Sequence, residues 1–226
     1  ETKMLQRLLI ATTCLFISLS LGCSSTGPKK GCSKGKNHEC SHDCSKHKGH
    51  KCKHKHEMSE GRIGEGLEFV AYRGLYFTAQ PKPTEIAQLP NEEIMAVINL
   101  RSPSELKKMT FDEKQLVEQK NIAYYNVPVP KDEPLSEDAM QEIEQKVMEH
   151  HKKGQNVLIH CSTGQRAASW LAYHMAATHK KPVKKALKKA QRVGLDKPEM
   201  KKKVRELLKT LKASSAQKAE KKPKRS

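Results

Sequence analysis

Residues 156–170, NVLIHCSTGQRAASW, constrain this chain more than any other stretch. A short apolar run, Val157-Leu158-Ile159, stops at His160-Cys161, and a run of small, helix-compatible residues begins after Gly164. A buried strand that passes through a tight loop straight into a helix is the building unit of an α/β sheet. Such a loop turns its backbone N–H groups toward one point, and the helix dipole adds positive potential there. The same field favours the thiolate form of a cysteine at the start of the loop. Gly164 lets the backbone curl, and Arg166 can return over the loop to hold an oxyanion in its planar fork. A buried, inert cysteine beside a solvated arginine is the plainer account. The joint placement of histidine, cysteine, glycine and arginine before a small-residue helix favours a reactive site.

From Arg62 onward, strand-length apolar runs alternate with helical patterns. LEFVAYRGLYFTAQ reads as two short strands joined at Gly74, and PTEIAQLPNEE as a short helix with Thr84 as its cap. IMAVINLR has the length and continuity of a buried parallel strand. A polar helix follows over residues 111–119, then the strand IAYYNVPV. Ser136 caps a helix that carries Met140, Ile143 and Val147 on one face and stops at Gly154. NVLIH is the last strand, and helices are expected behind it, over 183–193 and over 198–211. This alternation predicts a small parallel sheet flanked by helices over residues 61–212, followed by a basic disordered tail over 213–226. In such sheets ligands sit beyond the carboxyl ends of the strands. Cys161, Arg101 and the loop PVPKDEPLSED all fall there. The candidate substrate contacts are His160, Ser162, Thr163, Gly164 and Gln165 in the loop, with Arg101 on the neighbouring strand end. His160 is expected to order the loop through bonds to backbone groups.

The motif HCSTGQRA resembles the β-lactamase-hydrolase-like, phosphatase-like family of the cysteine-dependent tyrosine and dual-specificity phosphatase superfamily. LYFTAQPKPTEI, AVINLRSPSEL, NIAYYNVPV and ALKKAQRVGL follow the same resemblance in order, over roughly residues 67–211. The superfamily signature places five residues between cysteine and arginine; this chain has four, and Ala167 stands where a hydroxyl residue is usual. The resemblance implies a protein-tyrosine-phosphatase-like fold and a reaction needing no cofactor. Cys161 would attack phosphorus to give a phosphocysteine, and Arg166 and the loop amides would stabilise the equatorial oxygens. Asp132, in the upstream loop, would be the general acid, with Glu133 as its substitute. The loop CSTGQR equally resembles that of rhodanese, in which Cys161 would carry a persulfide to a thiophilic acceptor.

The N-terminal part calls for different chemistry. MLQRLLIATTCLFISLSLGCSS has one early positive charge, an apolar run over residues 8–21 that is short for a membrane span, and small residues before Cys23. It resembles a bacterial lipoprotein leader over residues 1–22, with Cys23 as the acylated first residue of an envelope protein on the periplasmic or extracellular face. Residues 23–60 form a tether rich in lysine, cysteine and histidine. Its ligand side chains are Cys32, His38, Cys40, His42, Cys44, His47, His50, Cys52, His54 and His56. It has too little apolar surface to offset chain entropy, so it is expected to be disordered when bare. Thiolates and imidazoles at irregular spacing suit adaptable capture of zinc, copper or nickel; disulfides in a plain spacer are the alternative. A third reading is therefore a metal-binding lipoprotein with an inactive phosphatase-like domain.

The chain carries a formal net charge of +18. Residues 61–212 hold 27 basic and 19 acidic residues, net +8. In an exported protein this favours phosphorylated substrates and anionic envelope surfaces over nucleic acid.

Overall fold

The structure, a computed structural model, describes residues 58–220, with side chains to residue 213. The leader, Cys23, all ten tether ligands from Cys32 to His56, and residues 221–226 lie outside the described residues.

The apolar runs form strands β2 (Leu67–Tyr72), β3 (Leu75–Thr78), β4 (Ile94–Asn99), β5 (Ala123–Asn126) and β6 (Asn156–His160). A further strand, β1 (Ser59–Ile63), pairs antiparallel with β2, Ser59 opposite Ala71. Within SEGRI only Ile63 is buried, so no alternation announces a strand. Met58 is buried as well, which places the start of the domain ahead of the expected boundary at residue 61. The six strands lie in the order β1-β2-β3-β6-β4-β5. The sheet is mixed rather than wholly parallel: β3, β6, β4 and β5 run parallel, and β1, β2 and β3 are antiparallel neighbours. The difference lies in the connections. The β2–β3 turn is two residues, Arg73 and Gly74, both at positive φ (55° and 75°). Such a turn joins only antiparallel strands, whereas parallel neighbours need a long crossover.

The helices are α1 (Pro83–Ile86), α2 (Pro103–Leu106), α3 (Glu113–Glu118), α4 (Glu137–His151), α5 (Gln165–Tyr173), α6 (Val183–Arg192) and α7 (Pro198–Glu220). Ser136 caps α4 as expected, its Oγ accepting from the Ala139 N–H at 3.2 Å. Thr84 does not cap α1: Lys82 holds the cap position, and Pro83 takes the first helical position, which its fixed φ suits. Nor does the chain leave helical structure at residue 213; α7 runs to Glu220, because SSAQKAE contains no glycine or proline to stop it.

Both sheet faces are covered. On β6, Val157 and Ile159 join a core with Ile143, Trp170 and Leu208, while Leu158 joins a second core with Ile86, Leu89 and Val117. On β4, Ala96 and Ile98 face the first core, and Ile94 and Val97 the second. Burial on both sides is why these strands read as continuous apolar runs. Thr78, His160, Asn99 and Asn126 stand in one row across the four parallel strands. The chain therefore leaves β3, β6, β4 and β5 at a single edge, and the polar residues gather there.

Leu158 is fully buried on the central strand. Leu158→Ala should cost about 2–5 kcal/mol of stability through lost burial and a residual cavity. Urea unfolding should show a lower midpoint at an unchanged slope; an unchanged midpoint would contradict the two-faced core.

Candidate active site

The loop after β6 has the expected form. Gly164 immediately precedes α5 at φ 84°, a left-handed conformation that costs a side-chain-bearing residue 1 kcal/mol or so. A β-carbon there would meet the Thr78 carbonyl oxygen at 3.5 Å, an ordinary contact, so the backbone angle rather than space selects glycine. Cys161 is fully buried, and its Sγ accepts a hydrogen bond from the Gly164 N–H at 3.1 Å. The sulfur is thus held at the N-terminal end of α5 by a backbone donor. Thr163 is exposed, and with Gly164 it borders a groove of about 880 Å³ that runs along β2 and β3 past Gln80, Lys82 and Arg192.

Arg166 is 3% exposed. Its Nη1 donates to the carbonyl oxygens of Leu100 (3.0 Å) and Val129 (2.8 Å) and to Glu105 Oε2 (2.7 Å). Its Nη2 donates to Glu105 Oε1 (2.7 Å) and to Ser162 Oγ (3.1 Å). The guanidinium is therefore clamped to the strand ends after β4 and β5 and to one carboxylate. Burial works against its charge, but the hydrogen bonds to Glu105 and the nearby Cys161 outweigh burial and raise its pKa. Glu105 is held down to about 2, chiefly by its bonds to Arg166 and with help from Ser102, against a smaller opposing effect of burial. Glu105 closes a capping box on α2 with Ser102, so the same carboxylate ends a helix and fixes the arginine. Arg101 shares this carboxylate. Its Nε is 3.8 Å from Glu105 Oε1, and its Nη1 donates to Gln80 Oε1 at 2.8 Å.

His160 does not order the loop through backbone bonds. Its Nε2 lies 3.1 Å from Glu113 Oε1, in close polar contact with that carboxylate. Glu113, itself buried, accepts from Gln80 Nε2 (2.8 Å), from Asn99 Nδ2 and from the Tyr124 hydroxyl (3.3 Å). Burial alone would raise its pKa, yet His160 and the amide donors hold it below the ordinary carboxylate range. The residue in front of the cysteine is thus anchored to a buried carboxylate that also ties β4, β5 and the loop after β3 together.

Asp132 occupies the loop between β5 and α4 at φ 63°. Its carboxylate is 63% exposed and lies 3.4 Å from Lys197 Nζ, and Lys203 Nζ donates to its carbonyl oxygen at 2.9 Å. Glu133 pairs with the same Lys203 at 3.0 Å. Gln165, the first residue of α5, donates to Asp196, the neighbour of Lys197. The β5–α4 loop is therefore tied to Lys197, just ahead of α7, and to Lys203 on α7. Cys161, Arg166, Ser162, His160 and Arg101 come together in one hydrogen-bonded and ionic assembly, with Gly164 and Gln165 in the same loop. Asp132 is not part of it; its carboxylate is turned to Lys197 and solvent.

The residues that sequence reading missed are Glu105, Glu113, Gln80, Asn99, Tyr124 and Asp196. Gln80 and Glu105 stand inside TAQPKP and LRSPSEL, stretches already notable for their resemblance, and could have been singled out there. Glu113 carries no such signal, since it reads as one more surface charge on a polar helix.

Among solved structures of similar fold, the active form of Tk-PTP matches at 19% identity over 60% of this chain and 91% of that one, with a TM-score of 0.52. TpbA of P. aeruginosa matches at 16% identity over 70% and 96%, with a TM-score of 0.54. A DUF442 protein from Shewanella putrefaciens matches at 23% identity over 64% and 87%, with a TM-score of 0.51. At these identities the likeness is one of fold. No curated protein matches. The family described as "Swiss Army Knife protein, DSP-PTPase phosphatase domain" matches residues 67–224, which include the whole catalytic loop. The chain belongs to that family, within the cysteine-dependent phosphatases, whose chemistry needs no cofactor.

Proposed function

We propose that this chain hydrolyses a phosphate monoester, phosphotyrosine or a small phosphorylated molecule, through a phosphocysteine on Cys161. The observation that carries the reading is the Gly164 N–H on the Cys161 sulfur, at a helix N-terminus beside a guanidinium kept charged by Glu105. The thiolate attacks phosphorus in line with the leaving oxygen. Negative charge on the equatorial oxygens is met by loop amides and by Arg166, whose Nη groups, bonded in this structure to Glu105, Ser162 and two backbone carbonyls, exchange an acceptor for phosphate. Ser162, Thr163, Gly164 and Gln165 line the phosphate, His160 holds the loop, and Arg101 faces the substrate from the β4 end. The Asp132 carboxyl, protonated from solvent as it leaves Lys197, gives that proton to the leaving oxygen, and the resulting carboxylate takes a proton from the water that cleaves the phosphocysteine.

Cys161→Ser should abolish turnover of a small aryl phosphate, and Arg166→Ala should lower it about a hundredfold or more. Asp132→Asn should slow alkyl phosphates far more than aryl phosphates, because only the more basic leaving group needs a proton. An equal loss on both classes would return Asp132 to a surface charge. The same selective loss in Asp196→Asn instead would move the acid to that loop. Conversion of thiosulfate and cyanide to thiocyanate through Cys161, with no phosphate released, would make the chain a sulfurtransferase.

Glu105 acts on this site as a positioning residue. Its folded pKa is depressed, so its contribution to stability is complete above about pH 4.5 and is lost as pH falls toward 2. Removing it should cost on the order of 3 kcal/mol at neutral pH. Urea titrations of Glu105→Gln should show this loss, together with a flatter decline between about pH 4.5 and 2 than in wild type. An unchanged acid limb would contradict the pairing.

We further propose that the domain works in the bacterial envelope, anchored through an acylated Cys23, with the tether of residues 31–58 holding zinc, copper or nickel. Intact mass of the membrane fraction should give a lipidated chain that begins at Cys23. Calorimetry under reducing conditions should show metal uptake by a peptide of residues 31–58, with proton release. A soluble, unmodified chain would contradict the anchor, and a peptide that takes up nothing at micromolar metal would leave a plain spacer.

A further inference from the structure

Helix α5 is continued by an irregular turn. His174–Thr178 form a π turn, in which the His179 N–H donates to the His174 carbonyl at 3.1 Å. In a regular α-helix the residue stacked over position i is i+4; a π turn widens that register to i+5. His179 is thereby brought over His174. Their ring centroids are 4.6 Å apart, the planes are nearly perpendicular at 89°, and the two Nε2 atoms face each other at 3.1 Å. π turns give up regular helical bonding and concentrate at functional sites. This one lies at the far end of α5 from the catalytic loop, about 15–20 Å along the helix, so the phosphatase chemistry does not account for it.

The surrounding groups fix the chemistry of the pair. His174 is buried, and its Nδ1 sits 2.8 Å from Glu144 Oε2 and 3.2 Å from Oε1. Thr178 Oγ1 donates to the same carboxylate at 3.0 Å. A carboxylate at Nδ1 places the proton there and leaves the lone pair on Nε2, which is the arrangement that orients and strengthens a metal-bound histidine. Trp170 stacks on the other side of His174, centroids 4.9 Å apart, and locks the ring plane. Two imidazole nitrogens bound to one tetrahedral ion at 2.0–2.1 Å stand about 3.3 Å apart, close to the spacing found. A third imidazole, His151, is electrostatically coupled to His174, and its Nε2 is buried without a hydrogen-bond partner.

We propose that His174 and His179 form a binding site for a divalent transition-metal ion of the zinc, nickel and copper class, with Glu144 as the carboxylate behind the first ligand. Without the ion, His179 Nε2–H donates to the His174 lone pair. Binding moves that proton to Nδ1 of His179 and frees both Nε2 lone pairs. His179 is only partly buried, so the ion has access from solvent. Among the described residues no three His, Cys, Asp or Glu side chains form a ready metal cage, so the remaining positions on the ion are taken by water. The site is separate in sequence from the tether ligands and does not depend on the phosphatase reading.

The chain has one tryptophan, Trp170, and it lies against the first ligand. Nickel added to the full-length protein should therefore quench most of its tryptophan emission, saturably and reversibly with EDTA. His179→Ala should abolish the quenching while circular dichroism stays native. Glu144→Gln should weaken the apparent affinity about tenfold or more. Equal quenching of wild type and His179→Ala would put the nickel elsewhere and overturn the proposal. So would a wild-type protein whose emission is unchanged at saturating nickel. If His179→Ala fails to fold, His179→Gln serves in its place with the same two outcomes.

Discussion

A buried guanidinium organises the catalytic rim of this domain. Arg166 reaches from the first turn of α5 to two backbone carbonyls, Leu100 and Val129, and to the Glu105 carboxylate. Removing a charge of this kind from water costs several kcal/mol, which only good geometry and full hydrogen bonding return. Leu100 and Glu105 come from the crossover after β4 and Val129 from the one after β5, so the arginine can be satisfied only when β4, β5 and β6 end at the same level. The row Asn99, Asn126, His160 provides that level, and the Glu113 network under it holds the residue in front of Cys161. Local order at the cysteine is thus a consequence of sheet register.

The parts of the fold legible in the sequence were those fixed by local pattern. The runs IMAVIN and NVLIH carry apolar residues to both faces, and Ser136 and Gly154 bracket α4 as their chemistry requires. β1 was not legible, because SEGRI is an edge strand held by backbone pairing to β2 with one buried side chain. The C-terminal helix outran its expected end because lysine and serine content suggested a tail, while the absence of a breaker before Pro223 mattered more.

The site divides in the same way. Cys161, Gly164 and Arg166 announce themselves because strand, loop and helix lie within one short segment. Glu105 and Glu113 are 61 and 47 positions away from their partners Arg166 and His160, and only the fold brings them together. A carboxylate that serves a distant cation looks, in sequence, like any solvated charge. Asp132 shows the converse. Its spacing marked it, but in the structure it faces Lys197 and solvent, so the proton transfer proposed for it requires the loop to move. The π turn at His174 was equally silent, since two histidines five apart share no face of an ordinary helix.

In the proposed mechanism a loop with four residues between Cys161 and Arg166 still supports nucleophilic attack on phosphorus. Rapid acid quenching of the enzyme during turnover of an aryl phosphate, followed by peptide mass spectrometry, tests it most directly. A phosphoryl adduct is expected on Cys161 in the wild-type chain and none in Cys161→Ser. Steady release of phosphate with Cys161 unmodified at every quench time, or an adduct on another residue, would contradict it.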